Sequence, residues 1–180
     1  MAEHGVTGAT SRRITSEAGA NLAAITYHFG SKEALVHAAL AAEVERLVEP
    51  ALSLLEGDDD AAARLLGATQ QLLATFDQER DRSPAYLAAL VEAVHEPAGG
   101  LDGPAGVVVR LRDRLAAVIA ELIADGTVAR WVDPRSMASL IVAAANGIAL
   151  QSGLDPDGPS PTEQTLQFVQ LLLSARTAKA

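Results

Sequence analysis

Apolar positions along the chain recur every three or four residues, as in amphipathic helices, and no alternating strand-like run of useful length interrupts them. Glycine, proline and capping residues divide this pattern into segments. The first helix is predicted from Thr10 to Ala18, with Thr10 or Ser11 as N-cap and Gly19 as the stop. A second begins at Asn21, another good N-cap, and runs to about Phe29, where Gly30 ends it. Ser31 caps a longer third helix, with Glu33 in its first turn where a negative charge suits the helix dipole. Pro50 is expected to disrupt that helix.

The later elements are longer. Gly57-Asp58-Asp59-Asp60 leads into a helix of roughly 60–79, and Ser83-Pro84 opens another as N-cap and first helical residue. The stretch from Pro97 to Pro104 reads as a loop. After it, Val108, Leu111, Leu115, Val118 or Ile119, and Leu122 keep helical spacing up to Gly126. Asp133-Pro134 starts a helix that ends near Gly153. Ser160-Pro161-Thr162-Glu163 is a capping box leading into a last helix to about Ala175. The fold class is therefore all-α, and 180 residues leave no room for a second large domain.

Composition narrows the picture. The chain is 49% hydrophobic but only 3% aromatic, its apolar mass being Ala, Leu and Val, which favours closely packed helices. The absence of Cys excludes a disulfide scaffold, thiolate zinc sites, iron–sulfur ligation and a Cys nucleophile, and a reducing cytoplasm is the expected setting. Met1 to Gly5 has neither a basic nor an apolar leader region, so no secretory signal is expected. The longest apolar run, Leu140 to Ala145, is far short of the ~20 residues of a membrane helix, so no membrane partner is expected. The four His residues lack metal-ligand spacing, and His95 and Glu96 would point about 100° apart on a helix. No glycine-rich phosphate loop or nucleophile elbow occurs. No enzymatic activity, metal or cofactor is expected.

The net charge of −9 argues against a nucleic-acid partner until it is divided along the chain. Residues 1–36 hold three basic and three acidic residues, whereas the rest holds 11 basic and 20 acidic ones. A neutral head precedes an acidic body. The head has the layout of a helix-turn-helix: Ile14, Ala18, Ala20 and Ile25 are expected to face inward, Gly19 allows the sharp turn, and Asn21 caps the second helix. Such a unit lays its second helix in the DNA major groove. Spacing alone does not separate it from any other pair of short helices with a glycine turn.

The residues themselves do more. The run from Gly8 to Leu35, and above all Thr26-Tyr-His-Phe-Gly-Ser-Lys-Glu-Ala-Leu35, closely resembles the DNA-binding segment of the tetracycline-repressor (TetR) family of bacterial regulators. The close match covers about residues 3–36. The resemblance implies a DNA-binding domain over 1–36 and an effector-binding and dimerisation domain over 37–180. It implies that Thr10 or Ser11 offers a hydroxyl and backbone N–H groups to a phosphate, and that Arg12 and Arg13 reach a guanine edge or a phosphate. Asn21, Thr26, Tyr27 and His28 are the expected contacts of the recognition helix, and Lys32 the expected phosphate clamp. Ile14, Ile25, Phe29 and Leu35 are expected to hold that helix to its support. Leu22, Ala23 and Ala24 could at most touch thymine methyl groups. Members of the family usually carry another helix before this segment, and the chain begins where that helix would finish; a start further upstream is expected.

In the body, the stretch Leu140 to Leu150 has only Asn146 as a strongly polar residue, and the final helix is apolar over half its circumference. Both read as a homodimer interface, with Leu140, Ala144, Gly147, Ile148, Leu166, Val169 and Leu173 as its residues and Ala143 as a further small one for close approach. The family dimerises similarly, which implies a palindromic double-stranded DNA operator. By the same resemblance the helices over about 40–125 form a chamber for a small hydrophobic effector. Phe76, Tyr86, Leu90, Val94 and His95 are its candidate lining, with His95 or Asn146 as polar anchors. The expected function is a ligand-responsive transcriptional regulator, most readily a repressor. The competing expectation is a dimeric small-molecule-binding helical protein without DNA binding.

Overall fold

A computed structural model describes residues 10–79, 83–95, 103–155 and 157–167. Its regular structure is all helical: α1 Ser11–Glu17, α2 Leu22–Phe29, α3 Lys32–Leu55, α4 Ala61–Gln78, α5 Ser83–His95, α6 Pro104–Ala124 and α7 Pro134–Leu154. An eighth helix, α8, begins at 161 and is described to 167. Most of the described helix starts are closed by side-chain capping, whereas Gly103 before α6 has no side chain to do so. Thr10, Asn21, Ser31, Asp60 and Asp133 each accept a backbone N–H of their own first turn. At the start of α8 the capping box closes reciprocally: Ser160 Oγ accepts from Glu163 N at 3.2 Å and Glu163 Oε2 from Ser160 N at 2.8 Å.

Pro50 does not end α3, which runs on to Leu55. Proline inside a helix forfeits one hydrogen bond and crowds the preceding turn, a cost of about 3 kcal/mol. The apolar stripe of α3 continues beyond it. Ala51, Leu52 and Leu55 are all buried, and burying two leucines recovers roughly 1.5–3 kcal/mol each, so burial wins. Pro50 itself sits on the exposed side.

The helix α3 is the spine of the molecule. Its first turns carry α2, and its later turns pack against α4, α5 and α6; α7 then lies on α6 and α5. One continuous core forms between these helices, centred on Val44, Val48, Val118, Ile119 and Ala138. The expected domain boundary at 36/37 falls inside α3, so a single rigid rod joins the head to the body.

Two faces of α7 differ sharply. Ala138, Val142, Ala149 and Ser152 are buried against the body. On the other side Leu140, Ala143, Ala144, Gly147, Leu150 and Leu154 are exposed, Leu140 by 64% and Leu154 by 70%. By length and composition α7 is apolar enough to cross a membrane, which the short uninterrupted run Leu140 to Ala145 does not reveal.

Candidate nucleic-acid interface and effector region

The head is built by caps and glycines more than by a core. Thr10 Oγ1 accepts from Arg13 N at 3.4 Å, Asn21 Oδ1 from Ala23 N at 2.9 Å and Ser31 Oγ from Ala34 N at 3.0 Å. Gly19, at φ 60°, and Gly30, at φ 78°, turn the chain between these helices in the left-handed region, where a Cβ would strain the backbone. Ile25 is buried, Ile14 and Leu35 half-buried. Ala18 and Ala20, expected inside, lie exposed on either side of Gly19. Their place is taken by Thr15, which is buried and donates its hydroxyl to Ser11 O at 2.9 Å. A buried threonine that satisfies itself on its own helix leaves no mark in the apolar pattern. Phe29 also differs from expectation, being 43% exposed at the edge of the packed face.

The outward side of α2 is open. Thr26, Tyr27 and His28 are exposed, with Tyr27 at 85%. Tyr27 lies two residues from buried Ile25 and so points about 160° away from it. The Tyr27 and His28 rings meet edge to face at 4.8 Å, which fixes the two as a unit. Leu22 and Ala23 are exposed beside them and Ala24 is half-buried. Thr10, Arg12, Arg13 and Asn21 are exposed, whereas Ser11 and Lys32 are half-buried. Arg13 Nε is bonded to Glu17 Oε1 at 3.1 Å, a pairing whose i,i+4 spacing is visible in the sequence. The Glu33 carboxyl is lowered below its ordinary range, first by its own backbone N–H, then by Ser31 and by the charges of Lys32 and His37.

In the body, Phe76 and Tyr86 are buried with ring centroids 5.5 Å apart, and Leu90 is half-buried beside this part of the core. The Tyr86 hydroxyl donates to Asn146 Oδ1 at 2.6 Å, tying α5 to α7 across 60 residues of sequence. Burial pushes the Tyr86 phenol up to about 12. Val94 does not join this group: it is 79% exposed, on the side of α5 that also exposes Val91, because the inner side is taken by Tyr86 and Ala89. The His95 side chain lies outside the described residues. A surface cleft of about 510 Å³ opens elsewhere, between α3 and α6, lined by Glu45, Glu49, Leu52, Glu56, Arg110, Asp113 and Arg114. Ion pairs cross it from Arg110 to Glu45 at 3.0 Å and from Arg114 to Glu56 at 2.7 Å. The apolar pattern could not reveal it, since its walls are the polar sides of two helices.

Of the expected interface residues, Leu140, Ala144, Gly147 and Leu166 are exposed and Ile148 is half-buried. Val169 and Leu173 lie outside the described residues. No group of three or more metal-ligating side chains occurs among the described residues.

Comparisons with known proteins agree with this geometry. Residues 1–39 match the bacterial regulatory proteins of the tetR family, and residues 61–176 match the C-terminal domain of BetI-type transcriptional repressors. No protein of curated function matches the sequence. Among solved structures, a chain assigned as a transcriptional regulator from Pseudomonas aeruginosa PAO1 superposes with a TM-score of 0.78 at 26% identity, over 98% of this chain and 84% of that one. A TetR-family regulator from Rhodococcus sp. gives 0.71 at 20% identity, over 95% and 89%. PfmR from Thermus thermophilus, also of the TetR family, gives 0.63 at 19% identity, over 91% and 86%. With the helix-turn-helix at one end and a body matched over more than half its length, the chain belongs to the TetR family of DNA-binding transcriptional regulators.

Proposed function

We propose that the chain acts as a homodimeric repressor that binds a palindromic operator and releases it when a small hydrophobic ligand enters the body. The observation that carries the DNA reading is the outward side of α2, where Tyr27 is 85% exposed on a capped helix whose opposite side is buried. In this reading Thr26, Tyr27 and His28 enter the major groove, with the side chains of Thr10, Ser11, Arg12, Arg13, Asn21 and Lys32 on phosphates or base edges. Asn21 spends its carbonyl oxygen on its own cap, leaving its amide group for DNA.

The exposed stripe of α7 supports the dimer. Leu140, Ala144, Gly147 and Leu154 lie on one side, and pairing with the same stripe of a second copy, joined by Leu166 of α8, buries them. A two-fold axis through that stripe presents two α2 helices to two half-sites. Phe76, Tyr86 and Leu90 form the apolar wall of the effector site, and Asn146 its polar anchor. A ligand that moves the dimer from 1:99 to 99:1 in favour of a non-binding geometry needs about 5.5 kcal/mol of differential affinity.

Selection of duplex fragments from genomic DNA tests the reading. The chain is expected to retain a palindromic site, and Tyr27→Ala combined with Lys32→Ala to lose it. Failure to enrich any sequence would overturn the operator. Sedimentation as a monomer at micromolar concentration would overturn the dimer.

A further inference from the structure

We infer that Glu17 is an internal competitor for Arg13, holding this guanidinium off DNA phosphates until a stronger partner displaces it. The inference rests on the DNA-binding reading of the head and adds a specificity-setting residue to it. Three cations lie in residues 10–36: Arg12, Arg13 and Lys32. Arg13 is bonded to Glu17 at 3.1 Å, and Lys32 has Glu33 as its neighbour, close enough for its charge to lower the Glu33 carboxyl. Among the described residues only Arg13 of the three is bonded to a carboxylate; Arg12 is exposed and Lys32 half-buried.

The pair does not exist for the sake of the helix. α1 carries its arginines in the first turn and its glutamate at the last residue, with no acid in the first turn and no base in the last. That order opposes the helix dipole, and Arg preceding Glu at i,i+4 is the poorer orientation of such a pair. Both side chains are open to solvent, at 44% and 67%. A bond between exposed groups is weak enough to exchange, so a bidentate guanine edge can take Arg13 where a lone phosphate gains little. Glu17 acts through Arg13 and touches no base itself. Its effect is to suppress nonspecific binding.

Two duplexes test this: the retained operator and a mixed-sequence duplex of equal length. Each is titrated with the wild type, Glu17→Gln, Arg13→Gln and the double variant across roughly 50–200 mM salt. Glu17→Gln is expected to tighten mixed-sequence binding about two- to five-fold, the worth of an exposed ion pair. It is expected to steepen the log–log salt slope by about 0.9, one added phosphate contact, and to narrow the preference for operator. In the Arg13→Gln background the same change is expected to do nothing. Equal tightening in both backgrounds, or none in the first, overturns the inference while leaving DNA binding intact. Absence of binding to any duplex overturns both. Unchanged melting of all four proteins separates these effects from folding.

Discussion

In α1 and α2 only Thr15 and Ile25 are buried, whereas α3 alone buries nine residues and contributes most of them to the core shared with α4, α5, α6 and α7. The head holds its shape through local chemistry: three side-chain caps, two left-handed glycines and one self-satisfied threonine. The body holds its shape by burial. The lesson is that stability and contact chemistry are separated along this chain. The head keeps nearly all its polar side chains at the surface, available to a partner, and α3 relays position between the two regions as one uninterrupted rod.

The largest expected effect therefore belongs to the body. Leu55 is 2% exposed at the end of α3, beyond Pro50. Leu55→Ala is expected to cost about 2–5 kcal/mol, by lost transfer and by the cavity left behind. Equilibrium denaturation in urea measures it. A cost below about 1 kcal/mol would mean that the last turn of α3 is not held by burial, and the explanation for a tolerated Pro50 would fail with it.

Next comes the buried phenol. Tyr86 is raised from its ordinary value to about 12 by burial, so the folded state keeps its proton after the unfolded chain has lost it. A raised folded pKa gives stability that is present below the unfolded value near 10 and lost as pH rises from about 10 to 12. Two units correspond to about 2–3 kcal/mol. Tyr86→Phe is expected to flatten the stability profile in that window. At neutral pH it is expected to cost about 1 kcal/mol, since Asn146 Oδ1 loses its donor. Parallel alkaline profiles for the two proteins would contradict the burial of this hydroxyl.

How much of this is legible in the sequence follows the same division. The head is specified by rules that act over three or four residues, so the residue types alone assign Asn21, Ser31, Gly19 and Gly30 their places as caps and turns, and leave the first cap between Thr10 and Ser11, of which the structure uses Thr10. The body shows its helices by period, but period does not say which helices touch. Tyr86 and Asn146 are both candidates for the effector site on sequence grounds, and their hydrogen bond is invisible there because it spans 60 residues. Val94 is misplaced for a related reason: α5 has apolar residues around most of its circumference, so the pattern defines no inside. Pro50 shows a local rule losing to burial, and Thr15 shows a polar residue in a core position that only its own backbone could satisfy.

A smaller effect tests whether the head depends on its caps. Asn21→Ala removes the acceptor for Ala23 N, an exchange that typically costs about 1 kcal/mol. Because α2 has so little burial, the loss is expected to appear as faster hydrogen exchange of α2 amides, with amides around Val44 and Val48 unchanged. A matching loss of protection in α3 would show that head and body unfold as one unit. The structural separation would then have no energetic counterpart.

The smallest effect on stability is expected at Tyr27, and it is the most informative. This ring is 85% exposed and meets His28 edge to face, so Tyr27→Ala removes little that folding had gained. Surface substitutions of this kind stay within about 0.5 kcal/mol. Tyr27 sits on the side of α2 opposite buried Ile25, so its ring adds nothing to the core and is available to a partner. Loss of a groove contact typically costs about 1–3 kcal/mol, hence roughly a five- to 150-fold weaker operator complex. Melting of Tyr27→Ala at the wild-type temperature together with that weakening would place contact chemistry and stability on different residues within one eight-residue helix. A drop in melting temperature instead would mean that Tyr27 packs against the body, and the outward side of α2 would have to be reassigned to folding.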